Sequence, residues 1–143
     1  MKKYKMMKAF LVAYILISLF SIRVFAQCGS GTALATTSTS IGIVISTNDA
    51  ETVYNALRFA NFSKKQGDTV SIFLLGKGVE LDNLAASDTA ILKQTNLFLD
   101  GGSISGCGTC LKSRNNMTPQ FCKFASMADL YSIIRKNKIV LTF

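Results

Sequence analysis

Two short runs, Ile41-Gly-Ile-Val-Ile-Ser46 and Thr69-Val-Ser-Ile-Phe-Leu-Leu75, are apolar at nearly every position, so neither leaves one face free for water. A strand with one wet face alternates apolar and polar residues. A run without that alternation must be covered on both sides, and helices on both faces of a parallel sheet supply the cover. The segment between the runs reads as such a helix. Thr47-Asn48-Asp49 offers capping side chains, and Glu51 places an acid in the first turn. Val53, Leu57 and Ala60 recur at i, i+4 and i+7, with Ala56 and Phe59 widening the stripe, as far as about Gln66. Gly67-Asp68 then makes a turn.

The pattern repeats along the chain. Gly76-Lys77-Gly78 opens a loop, Val79 to Ala85 is a short helix, and Ser87-Asp88 starts a helix reaching Leu99. Asp100-Gly101-Gly102 ends it, since glycine tolerates a left-handed cap. Ser103-Ile-Ser105 is a short strand, and Gly106 to Arg114 passes through a turn into a helix start. Ser126-Met-Ala-Asp129 is a capping box for a helix through about Lys136, and Ile139 to Phe143 closes the sheet. Alternating strands and helices predict an α/β domain, a mostly parallel sheet sandwiched by helices. The folded unit is about 41–143, roughly 100 residues and enough for one core.

The first quarter of the 143-residue chain has a different character. Lys2, Lys3, Lys5 and Lys8 precede an almost unbroken apolar run from Ala9 to Ile22, and Val24-Phe25-Ala26 has the small residues of a cleavage site. Residues 1–26 therefore read as a secretory signal peptide, which makes the protein exported, periplasmic or secreted. The apolar run has 14 residues, short of the roughly 20 that span a bilayer. The alternative is an uncleaved N-terminal anchor, and any membrane association is expected only through it. Residues 27–40, from Gln27 through Cys28 and a Gly, Ser and Thr-rich stretch, form a flexible tether. Loss of residues 1–26 removes five cations and no acid, so the net charge falls from +8 to +3. The basic balance thus belongs largely to the signal and gives no reason to expect nucleic acid as a partner. The remaining basic clusters, Lys64-Lys65 and Arg135-Lys136-Asn137-Lys138, fall at predicted helix ends, where cations complement the dipole.

Histidine is absent from the whole sequence, which excludes a Ser-His-Asp triad, a Cys-His dyad and any His-ligated metal. Gly76-Lys77-Gly78 lacks the spacing of a phosphate loop and is read as a turn. Asp49 and Glu51 are read as first-turn acids and not as a catalytic pair. The chemistry-bearing candidate is Cys107-Gly108-Thr109-Cys110, carried from a strand to a helix start at the carboxyl end of the sheet, where open α/β sheets place ligand sites. Gly106 and Gly108 flank Cys107 without side chains. The helix start, Lys112 and Arg114 should favour its thiolate, the nucleophilic form. Four readings follow from the residues: a reactive thiol, a Cys-x-x-Cys redox pair, a zinc site drawing on Cys107, Cys110 and Cys122, and an inert thiol or structural disulfide. No cofactor and no metal are expected.

The segment Gly102 to Arg114, with Cys122-Lys-Phe-Ala-Ser126-Met-Ala-Asp-Leu130 and the terminal Lys138 to Phe143, resembles the DsrE/DsrF-like family. Asn48-Asp49 and Tyr54 to Ala60 fit the same pattern, so the resemblance covers essentially all of 41–143. It implies a three-layer α/β/α sandwich with about five strands, a homo- or hetero-oligomer, with a homo-oligomer expected for this chain, and a sulfur carrier or sulfurtransferase that exchanges sulfur with a donor or acceptor protein or a small sulfur compound. On that resemblance Cys107 matches the cysteine that accepts sulfur as a persulfide, Arg114 is its basic partner, and Cys110 supports release. A non-catalytic oligomeric module with a structural or redox disulfide at Cys107/Cys110 is the alternative.

Overall fold

The computed structural model describes residues 37–143. The predicted signal peptide, most of the predicted tether and Cys28 lie outside the described residues.

The sheet has five strands, all parallel, in the order β4-β3-β2-β1-β5. The chain runs through β1 (Ser40–Ile45), α1 (Ala50–Lys65) and β2 (Thr69–Leu74), then a 3₁₀ turn at Gly76–Glu80. It continues through α2 (Leu81–Ser87), α3 (Thr89–Leu99), β3 (Ile104–Cys107), α4 (Gly108–Lys112), β4 (Lys123–Ala125), α5 (Met127–Lys136) and β5 (Ile139–Thr142). β1 begins at Ser40, whose hydroxyl accepts the Lys138 N–H at 3.0 Å. The end of the predicted tether is therefore built into the fold.

Local chemistry accounts for the helix starts. The Asp49 carboxylate accepts from the Thr52 N–H and hydroxyl, and the Asp88 carboxylate accepts from the N–H groups of Ala90 and Ile91. Ser126 and Asp129 form the reciprocal capping box that their spacing predicts. Gly101 (φ +77°) provides the left-handed stop after α3. β4 is the element that the sequence conceals, because Lys-Phe-Ala is three residues long and has no β-branched run.

Handedness divides the layers. The steps β1 to β2, β2 to β3 and β3 to β4 all move one way along the sheet, and right-handed crossovers put their helices on one face. The step from β4 to β5 returns past β1, so α5 lies on the opposite face. The core sits mostly on the first face, where α1 and α3 cover Ile41, Ile43, Ile45, Ile72 and Ile104. Among the described helices α5 alone covers the second face, with Ile133 packed over Gly42 of β1. Phe73 and Cys107 are buried on that face as well, but at the start of β2 and β3 it is polar, and a cavity of about 550 Å³ beside α5 is lined by Thr69, Ser71 and Ser105 among others. No residue after Leu111 is buried. Among the described residues no helix is long and apolar enough to cross a membrane.

Candidate functional site

Cys107 is the last residue of β3 and also the N-cap of α4, its Sγ accepting the Cys110 N–H at 3.4 Å. One strand-to-helix joint therefore brings the two predicted thiols together at the carboxyl end of the sheet. Cys107 is 4% exposed and belongs to the core, while Cys110 is half-buried. Burial pushes the Cys110 thiol up from its ordinary range, as does its hydrogen bond with the Cys107 thiol. A backbone hydrogen bond at Gly76 and the Arg114 charge act in the opposite direction.

Gly76-Lys77-Gly78 has a larger part than a turn. Gly76 is left-handed (φ +54°), and Gly78 passes so close to the Ile45 carbonyl that a side chain there would collide with backbone. These two glycines seat the 3₁₀ turn against the end of β1 and bring its backbone to Cys110.

Arg114, the third predicted site residue, is held at the rim. Its Nε pairs with Glu80 Oε1 at 2.8 Å, and its Nη1 donates to the Cys110 carbonyl oxygen at 3.2 Å. Asn48 Nδ2 donates to the other Glu80 oxygen at 2.8 Å. The Arg114 hydrogen bond, and then that of Asn48, holds the Glu80 carboxyl below its ordinary value. Glu80 and Asn48 are site residues that the sequence does not reveal, because each comes from a different loop and only folding joins them. Glu80 also offsets much of the positive charge that Arg114 was expected to lend the thiols.

Cys122 sits elsewhere. Its Sγ fills the space over Gly106, 2.6 Å from where a Cβ would stand, and strand alternation turns Gly106 and Cys107 to opposite faces. Burial, and then the nearby Asp82 carboxylate, push the Cys122 thiol up to about 11. Asp82 itself accepts from Asn116 Nδ2 and from the backbone N–H groups of Gln120 and Phe121, which ties down the loop before β4. Cys107, Cys110 and Cys122 are all free thiols. Among the described residues no group of three or more Cys, Asp or Glu is placed to hold a metal. A cavity of about 410 Å³ next to the thiol pair is lined by Glu80, Asp82, Arg114, Asn116 and Gln120, and by neither cysteine.

These features define a small α/β domain with a dithiol at the carboxyl end of a parallel sheet. The chain is 29% identical over 100 residues to an uncharacterized protein of Methanopyrus kandleri, a match spanning 65% of this chain and 83% of that one. A solved structure, a conserved protein of unknown function from Bacteroides thetaiotaomicron, superposes with a TM-score of 0.61 at 22% identity, covering 73% of this chain and 95% of its own. That likeness is one of fold. No family model matches the chain.

Proposed function

We propose that this is an exported, self-associating sulfur carrier of DsrE-like type, with Cys107 as the residue that accepts sulfur. The observation that supports the reading best is the joint itself: Cys107 Sγ accepts a helix-start N–H from Cys110, with the second thiol alongside. That N–H fixes the sulfur at the helix start, beside the second thiol that the transfer chemistry needs. In the proposed step the Cys107 thiolate attacks the outer sulfur of a donor persulfide, forming Cys107–S–S⁻ and releasing the donor thiolate. The sulfur then passes to an acceptor thiolate. Alternatively Cys110 attacks the Cys107 sulfur, forming the Cys107–Cys110 disulfide and expelling hydrosulfide; two electrons from an external dithiol restore the pair. Arg114, clamped by Glu80, holds the Cys110 carbonyl and so positions the second thiol.

Treatment of purified protein with a sulfane donor, followed by intact and peptide mass measurement, tests this. One added sulfur on the Cys107 peptide is expected. The reading fails if no adduct forms, or if the adduct persists in Cys107→Ser.

A second reading rests on the burial of Cys107, which is 4% exposed. In it the protein is a non-catalytic oligomeric module, and Cys107 and Cys110 close a structural disulfide after export. Permanent oxidation of the pair in protein from its own compartment, with a loss of stability and no sulfur transfer on reduction, would establish that alternative.

A further inference from the structure

Among the described residues β5 is an edge strand, hydrogen-bonded to β1 on one side, and its Ile139 and Val140 are 45% and 38% exposed. Val140 pairs in register with Gly42, the residue beneath Ile133, so Val140 lies on the α5 face of the sheet. On α5, Leu130 and Ile133 point inward, and Asp129, Ser132 and Lys136 line the polar cavity on one flank. At 100° per residue, Met127, Tyr131 and Ile134 fall on the opposite flank, the one toward β5. They are 59%, 65% and 46% exposed. The exposed apolar residues of α5 and β5 are thus gathered along one border of the sheet, Ile139 on its α1 face and the others on its α5 face, beside a strand that has no second pairing partner among the described residues.

We infer that this border, β5 with the outer flank of α5, is where a second copy of the chain docks about a two-fold axis. The inference rests on the proposed self-association and assigns it a surface. Paired about such an axis, β5 meets its own copy antiparallel, which completes both edges with the same hydrogen bonds and lays the two α5 flanks against each other. At roughly 150–200 Å² per large side chain, the exposed fractions of the five apolar residues come to about 450 Å². That is the size of the largest apolar surface a typical domain shows, roughly 300–600 Å² and often functional. With the edge backbone and the rim residues Arg135 and Lys138, it approaches the roughly 800 Å² per partner of a standard interface. Charge does not oppose the arrangement. In the register that pairs all four residues, the two Lys138 positions stand about 17 Å apart at opposite ends of the ribbon.

The test is the mass in solution of protein purified from cells expressing the full chain, together with Tyr131→Glu and Val140→Lys. A dimer, or an even multiple of the chain, is expected. Each substitution should raise the dissociation constant about thirtyfold or more and leave the circular dichroism of the fold in place. Hydrogen exchange at the β5 amides should be slow in the unsubstituted protein and fast in both variants. An unsubstituted protein that is monomeric, whether or not another segment protects β5, overturns both self-association and this surface. An oligomer whose mass neither variant changes overturns the surface alone.

Discussion

Arg114 Nε lies 2.8 Å from Glu80 Oε1, and the same guanidinium reaches the carbonyl of Cys110. The pair joins the turn after β2 to the turn after α4 and so fixes one side of the thiol joint. Both side chains are partly exposed, 31% and 27%, which places the ion pair among those worth about 1 kcal/mol or less.

Glu80→Gln should therefore lower stability by about that amount at neutral pH, as read from urea unfolding. The dependence on pH is more specific. The Glu80 carboxyl is held below its ordinary value of 4.5, so its contribution is present above that value and is lost as pH falls through the folded-state value. The variant should show a shallower acid decline. An unchanged acid limb would mean that Glu80 is not paired in solution.

Gly106 and Cys122 provide a steric prediction. A Cβ on Gly106 would stand 2.6 Å from Cys122 Sγ and 3.3 Å from Leu111 Cδ1. Gly106→Ala should cost about 1–3 kcal/mol through overpacking. With the sulfur removed by Cys122→Ala, the same change should cost much less. A double-mutant cycle measures the difference, and strict additivity would rule out the contact.

Much of the fold was legible because its signals are local. The two doubly apolar runs became β1 and β2, the Asp49 and Ser126 caps open α1 and α5, and Gly101 stops the chain after α3 as its position predicts. β4 was hidden, being three exposed or half-exposed residues that become a strand only by pairing with β3. The thiol pair could be located from its spacing. Its surroundings could not, because the turn Gly76–Glu80 reaches Cys110 and Arg114, and Asn48 reaches Glu80, only once the chain has folded. The burial of Cys107 agrees with the inert-thiol alternative and departs from the open approach that the flanking glycines suggested.

Cys122 should control part of the alkaline behaviour. Its folded-state value of about 11 lies above the ordinary thiol value of 9.0, so its contribution is fully present below 9.0 and is lost as pH rises through about 11. Cys122→Ala should flatten stability over that window in thermal unfolding. A decline of the same depth in the variant would assign the effect to another group.

The three thiols should differ in reactivity. Cys110 is half-buried, Cys107 is 4% exposed, and burial keeps Cys122 protonated at neutral pH. A bulky maleimide should label Cys110 first and the other two far more slowly, as followed by peptide mass. Fast labelling of Cys107 would show that the joint opens readily in solution.

The state of Cys107 in protein taken from its own cells and alkylated at lysis tests the central claim most directly. Peptide masses should show a population of Cys107 carrying one extra sulfur, absent from Cys110 and Cys122 and lost after reduction. A Cys107–Cys110 disulfide in every molecule, with no added sulfur before or after exposure to a sulfane donor, would contradict it.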